Sequence, residues 1–97
     1  MDNDTASLPP EAASFSSLVL SIAAAALTYM GHAVMPGADK TEINLPIAKQ
    51  SIDTLEMLKA RTEGNRTVEE SKMIDELLYE LRLAYVQAES AKPLIIS

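Results

Sequence analysis

His32 is one of the few side chains whose type could support catalysis or metal binding. It is the only histidine among the 97 residues, and the chain has no cysteine. A metal site or an activated nucleophile needs several such groups at a fixed spacing, so a lone histidine predicts neither. His32 follows Gly31, where a helix is predicted to end, and an imidazolium there would complement the helix dipole. We interpret His32 as a structural residue.

The carboxylates in the last third of the chain are the second set of candidates: Glu69, Glu70, Asp75, Glu76 and Glu80. Paired carboxylates can act as general acid and base, but they need a cleft that shifts their pKa values. These residues lie near the start and on the polar side of a predicted helix, which favours a solvated face. An enzyme that uses them is the least favoured of three hypotheses for this chain.

The other polar residues suggest packing and surface roles. Ser14, Ser17 and Ser21 lack the G-x-S-x-G context of a serine nucleophile. No two glycines lie close enough to form a phosphate-binding loop. Lys49 and Asp53 are four residues apart, the spacing of a surface ion pair on a helix. The sequence therefore predicts no catalytic, cofactor-binding or metal-binding residue and no cofactor.

Composition and charge narrow the classes of partner. Apolar residues make up 47% of the chain, which is the composition of a folded domain rather than a disordered segment. The net charge is −6, and no cluster of basic residues occurs. Phosphate backbones and anionic membranes both attract lysine and arginine, so nucleic acid is not an expected partner and a membrane surface is disfavoured. We expect the partner to be a protein.

Helix signals divide the chain into one helical domain over residues 11–90, between an arm at 1–10 and a tail at 91–97. Three helices are predicted at about 11–30, 45–63 and 68–90. Ser14 and Asn44 are suitable N-caps, and Thr67 with Glu70 has the spacing of a capping box. The expected fold class is all-α, an antiparallel hairpin of the second and third helices with the first laid across it. Oligomerisation is expected to complete this small bundle.

The first predicted helix is apolar or small on every side. No charged residue occurs between Ala12 and Ala38. Its large-residue face is predicted to comprise Phe15, Leu18, Val19, Ile22, Ala26 and Met30. The opposite side carries small residues four, three and four positions apart: Ser17, Ser21, Ala24 and Thr28. Small residues in one stripe let another backbone come close, so we expect this stripe to be an interface.

The third predicted helix has an apolar row in addition to its core-facing row. Tyr79, Leu83 and Val86 lie off the main stripe. One monomer covers one face of this helix, so the additional row predicts a further contact. We therefore expect a homodimer joined through the first helix and this row. The leading hypothesis is a non-enzymatic protein-interaction or regulatory module that acts as a homo-oligomer and binds an unidentified protein.

The alternative hypothesis is a membrane-associated accessory protein anchored by the first helix. An uncharged stretch longer than eighteen residues is a candidate membrane span. The helical part of this stretch, residues 15–30, would be about 24 Å long, which is shorter than a hydrocarbon core of about 30 Å. No lysine or arginine flanks it to orient insertion. Membrane insertion of the first helix is therefore the less favoured hypothesis.

Three short motifs occur along the chain: A-K-x-x-I-D-x-L at residues 48–55, G-N-x-T at 64–67 and L-L-Y-E-L-R at 77–82. Together they resemble a bacterial family of short proteins that is described as a domain of unknown function, DUF1844. The resemblance covers about residues 15–86. It implies a bacterial, cytoplasmic, helical protein. It implies no activity and supplies no catalytic residues.

Overall fold

Three α-helices form the part of the protein that the structure, a computed structural model, describes: residues 14–32 and 43–91. They are α1 (Phe15–Tyr29), α2 (Leu45–Arg61) and α3 (Val68–Ser90). No strand occurs in these two ranges. The predicted all-α fold of three helices is confirmed. The predicted arm at 1–10, the first residues of the first predicted helix (11–13) and most of the predicted tail (92–97) lie outside the described residues.

Each helix begins at a residue whose side chain caps it. The hydroxyl of Ser14 accepts a hydrogen bond from the first turn of α1, and the side-chain oxygen of Asn44 does the same for α2. At α3 the capping box is complete, because the Thr67 hydroxyl accepts from the Glu70 amide while the Glu70 carboxylate accepts from the Thr67 amide. These caps satisfy amide groups that have no partner inside a helix.

The first two helices end at backbone conformations that favour glycine. Gly31 has a φ of +91° one residue past the C-cap of α1, and Gly64 has a φ of +85° in the turn between α2 and α3. α2 ends at Arg61 rather than at residue 63. The reason is local, since the Thr62 hydroxyl donates to the Leu58 carbonyl oxygen at 2.8 Å and the chain turns there.

All three helices contribute to one apolar core. Within the described residues no polar or charged residue is buried. The buried residues are Val19, Ala23, Ala26, Met30, Ala48, Ile52, Leu55, Ile74, Leu78 and Leu81. They recur at intervals of three and four along each helix, which is the spacing of a single face.

Leu18 does not belong to this core, although the spacing predicted it on the buried face of α1. Its side chain is 47% exposed, and Ala23 is buried beneath the helix instead. Consecutive helical residues are about 100° apart, so Leu18 falls at the edge of a face centred on Val19.

The antiparallel arrangement of α2 and α3 is evident from the ion pairs that link them. Lys59 near the end of α2 pairs with Asp75 near the start of α3, at 2.7 Å between Nζ and Oδ1. One turn earlier in α2, Glu56 pairs with Arg82, two turns later in α3. α1 packs against both helices, more extensively against α2 than against α3. The predicted hairpin with a third helix across it describes this arrangement.

Candidate functional site

The small-residue stripe of α1 lies on the side of the helix that faces away from the core. Ser21 and Ala24 are exposed, and Ser17 and Thr28 are partly buried. Leu18 and Leu20 lie on opposite sides of the stripe and are 47% and 51% exposed. No charged residue occurs in α1. We call this surface, Ser17, Leu18, Leu20, Ser21, Ala24 and Thr28, the α1 face.

Hydroxyl groups at the two ends of the α1 face already have hydrogen-bond partners within the helix. The Thr28 hydroxyl donates to the Ala24 carbonyl oxygen at 2.9 Å. The Ser14 hydroxyl donates to the Ser17 hydroxyl oxygen at 3.1 Å and accepts from the Ser17 amide at 3.0 Å. A hydroxyl with a partner can be removed from water at lower cost than one without. Burying the α1 face against a partner therefore costs less free energy than its serine and threonine content suggests.

The second row predicted from the sequence, here called the α3 row, lies on the outer side of α3. Tyr79 is 67% exposed, and Leu83 and Val86 are exposed as well. Val68 is also exposed, and its position about three turns before Tyr79 places it on the same side of the helix. The described part of the chain therefore leaves the α3 row exposed.

Glutamates run along one edge of the α3 row. Glu69, Glu76 and Glu80 are exposed and seven and four residues apart, so they follow one side of α3. Among the described residues, none of the three takes part in an ion pair. Lys72 is exposed seven residues before Tyr79, in line with the α3 row, so the row and its glutamates together carry a net charge of about −2. We call Glu69, Glu76 and Glu80 the acidic edge.

A groove runs along the other edge of the α3 row, between α2 and α3. Its volume is about 290 Å³, and Val86 belongs to both the groove and the α3 row. Ion pairs occupy its rims, because Lys49 bonds Asp53 at 3.1 Å and Arg82 bonds Glu56. The lining residues are Lys49, Ile52, Asp53, Glu56, Arg82, Tyr85 and Val86. The groove thus has an apolar floor and charge-balanced rims.

Two side chains in the described residues have shifted pKa values, and in each case an ion pair is the main cause of the shift. The hydrogen bond to Asp53, together with the charge of that carboxylate, raises the pKa of Lys49. The hydrogen bond from Lys59 lowers the pKa of Asp75. Both shifts favour the charged form of the group and move its pKa away from neutrality. This is the behaviour of surface ion pairs rather than of catalytic groups.

The structure does not bring the α1 face and the α3 row together. The three helices surround one core, and each row lies on the side of its helix opposite the buried residues. Two rows that both face away from a shared core point in different directions. The homodimer contact through both rows stays a prediction, and in the single chain the α1 face and the α3 row are two separate surfaces.

Arg66 is a structural residue that the sequence reasoning missed. Its side chain is 7% exposed. Nη1 donates to the Lys59 carbonyl oxygen at 2.6 Å and to the Thr62 hydroxyl at 3.0 Å, and Nε donates to the Ser71 hydroxyl at 3.0 Å. Arg66 therefore joins the end of α2 to the first turn of α3. It occupies the variable position of G-N-x-T, and nothing in the sequence around it indicated burial.

Two kinds of feature are absent from residues 14–32 and 43–91. No helix there is long and apolar enough to cross a membrane. No group of three or more histidine, cysteine, aspartate or glutamate side chains there is arranged to hold a metal ion.

Comparison with known proteins identifies the family. No curated protein and no solved structure shows a significant match to the chain. The family model described as Domain of unknown function (DUF1844) matches residues 12–87. That range contains α1, α2, all of α3 except its last three residues, and the three motifs at 48–55, 64–67 and 77–82. The resemblance inferred from those motifs is therefore confirmed. The chain belongs to the DUF1844 family, whose description assigns no function.

Proposed function

We propose that this protein is a non-enzymatic protein-interaction module that forms a homodimer through the α1 face. The observation that carries the proposal is an uncharged helix with one side open to solvent, on which Leu18 and Leu20 are both about half exposed. A helix that is apolar or small all round is normally covered on all sides. In the single chain, α2 and α3 cover only one side of α1.

The α1 face is the surface at which a second copy meets the least electrostatic repulsion. Each chain carries a net charge of −6, so contact between two copies costs least where the contact surfaces carry no charge. The α1 face is such a surface. An antiparallel two-fold contact centred between Ser21 and Ala24 sets Ser21 against Ala24 of the second copy and Ser17 against Thr28. Small residues would then meet small residues, which lets the two helices approach closely.

We place the protein in the bacterial cytoplasm, as the family resemblance implies, and assign it no catalytic role. Its function would be to present surfaces to other proteins from a small dimeric scaffold. The exposed α3 row, which the dimer contact leaves free, supports a role in binding a different protein.

Light scattering on a sizing column in detergent-free buffer tests the dimer. The wild-type protein should elute with twice the mass of the chain, and Ser21→Arg should elute as a folded monomer because the new charge lies at the contact. Gln50→Arg is the matched control, since Gln50 is exposed on α2, and it should remain dimeric. A wild-type monomer at all concentrations would contradict the proposal.

Fractionation of cells tests the competing assignment of a membrane accessory protein anchored by α1. The proposed module should stay in the supernatant after ultracentrifugation. Recovery in the membrane pellet, with release by detergent and not by salt, would show that the α1 face contacts lipid rather than protein. Ser21→Arg would then shift the protein into the supernatant.

A further inference from the structure

We propose that the α3 row binds a basic amphipathic helix of a different protein. The inference rests on the proposed role as an interaction module, but it uses a surface that the α1 dimer does not occupy. Three features carry it: an exposed apolar row on α3, a line of carboxylates without ion-pair partners among the described residues, and the charge-balanced groove between α2 and α3.

The apolar row has the dimensions of a helix-binding surface. Tyr79 and Val86, the ends of the row, are seven positions apart, which is about 10 Å along the helix axis, and Leu83 lies between them. An amphipathic helix recognises such a row with apolar side chains at positions i, i+3 or i+4 and i+7. Tyr79, at 67% exposure, is suited to anchor the contact, because its ring is large and rigid and its hydroxyl can stay at the wet rim.

The acidic edge determines which charge the partner carries. On the α2 side of the bundle the acids are neutralised within the chain, Glu56 by Arg82 and Asp75 by Lys59. Glu69, Glu76 and Glu80 have no such ion pairs among the described residues. Lysine or arginine along one flank of the partner helix would meet this edge. A second copy of this chain would bring the same negative edge to the contact, so like charges disfavour it.

The groove determines what the other flank of the partner helix carries. Its rims are already ion-paired, and its floor contains Ile52, Tyr85 and Val86. A charged side chain placed there would find no unpaired partner on the rims, whereas one large apolar side chain would cover the floor. The expected partner helix is therefore basic on the side of the acidic edge and apolar across the α3 row and the groove.

Binding of designed peptides to the full-length protein tests this inference. The probe is a fluorescently labelled amphipathic peptide of about 18 residues, long enough to form a helix, with leucines on one face and lysines on one flank. The matched peptide has glutamate in place of lysine. By fluorescence anisotropy, the lysine peptide should bind at least about tenfold more tightly, and its affinity should fall as salt is raised. Equal affinities, or no binding of the lysine peptide, would overturn the proposal.

Charge-reversal variants locate the binding site. Glu76→Lys with Glu80→Lys should weaken binding of the lysine peptide at least about tenfold. The control, Glu63→Lys with Glu89→Lys, changes the net charge equally away from the acidic edge and should weaken binding less than about threefold. Tyr79→Ala should weaken binding through loss of the apolar anchor. Equal losses in the two double variants would show that net charge governs binding, and would overturn the proposal.

Ser21→Arg separates this inference from the dimer proposal. If both are right, Ser21→Arg is monomeric and binds the lysine peptide with unchanged affinity. Binding by a wild-type monomer would overturn the dimer and support the α3 site. Loss of binding in Ser21→Arg, with retention in Glu76→Lys/Glu80→Lys, would place the peptide on the α1 face and overturn the α3 site. Circular dichroism melts of each variant establish that it is folded.

Discussion

At the scale of single residues, Arg66 connects more of the structure than any other polar side chain described. It is nearly buried, yet its hydrogen bonds reach Lys59, Thr62 and Ser71, and its guanidinium lies 3.3 Å from the Glu63 carboxylate. A planar guanidinium can donate in several fixed directions at once, whereas an ammonium group cannot. The turn between α2 and α3 therefore depends on arginine in particular and not only on positive charge.

Replacing Arg66 tests this dependence. We expect Arg66→Ala to lower the free energy of unfolding by about 2 kcal/mol, because three hydrogen bonds from a charged, nearly buried donor are lost. Arg66→Lys should recover less than half of the loss. Urea denaturation measures both variants. The control is Arg61→Ala, an exposed position that should change the free energy by about 0.5 kcal/mol or less; an equal loss there would contradict the special role of Arg66.

The ion pair between Lys59 and Asp75 predicts a pH dependence in acid. Hydrogen bonding by Lys59 lowers the pKa of Asp75 below its ordinary value of 3.8. A lowered folded-state pKa contributes stability that is present above the ordinary pKa and is lost as the pH falls through the folded pKa. Asp75→Asn should therefore be less stable than wild type at neutral pH, and the difference should shrink below about pH 4.

Thermal unfolding between pH 2 and pH 7 measures this difference. The control is Asp75→Asn made in a Lys59→Met background, where the carboxylate has lost its partner. There the effect of Asp75→Asn should be small and nearly independent of pH. A pH-independent difference in the wild-type background would show that Asp75 acts through packing rather than through the ion pair.

At the scale of elements, the contact between the end of α1 and the start of α2 is set by a glycine. The Asn44 amide donates to the Tyr29 carbonyl oxygen at 2.7 Å, which draws the entry of α2 onto the end of α1. Ile43 consequently lies against Gly31, and a β-carbon at Gly31 would be 3.0 Å from an Ile43 side-chain carbon. Gly31 is required both for its positive φ and for this close approach.

Alanine substitutions at the two positive-φ glycines distinguish these requirements. Gly64→Ala should cost about 1 kcal/mol for the left-handed conformation alone, because nothing lies within 4 Å of its added β-carbon. Gly31→Ala has the same conformational cost and in addition displaces Ile43, so its midpoint of thermal unfolding should be lower. Adding Ile43→Ala to Gly31→Ala should remove much of the extra loss. Equal midpoints for the two glycine variants would show that the close approach costs nothing.

At the scale of the whole molecule, the single core is small. Its buried set includes three alanines, Ala23, Ala26 and Ala48, which contribute little buried area. Domains of this size bury a limited share of their surface, and oligomerisation is a common source of further stability. Dimerisation through the exposed α1 face would bury further apolar surface. The free energy of unfolding should therefore depend on dimer formation.

This coupling predicts that thermal stability depends on protein concentration. The unfolding midpoint of the wild-type protein should rise by about 4 °C for each tenfold increase in concentration, because a dimer is stabilised by mass action. Ser21→Arg should melt at one temperature throughout the range, and Gln50→Arg should behave as wild type. Differential scanning calorimetry over two decades of concentration makes the comparison. A midpoint that is constant in the wild type would contradict the dimer.

The sequence by itself determined the helices, their caps, the family and the membership of the two exposed rows. These follow from local physics: Ser14 and the pair Thr67 and Glu70 have the chemistry and spacing of caps, and apolar residues three and four apart share a face. The stripe from Ser17 to Thr28 and the row from Tyr79 to Val86 are evident from spacing alone. Nothing beyond neighbours on one helix is needed to define them.

Only the tertiary structure decided how these helices share a core and what they leave open. It assigned Ala23 rather than Leu18 to the buried side of α1, enclosed the Arg66 side chain in the turn, and formed the groove beside Val86. It also turned the α1 face and the α3 row in different directions. The physical reason is common to all four: each depends on the distance and angle between helices, which arise from the packing of side chains far apart in the chain and leave no pattern within any one helix.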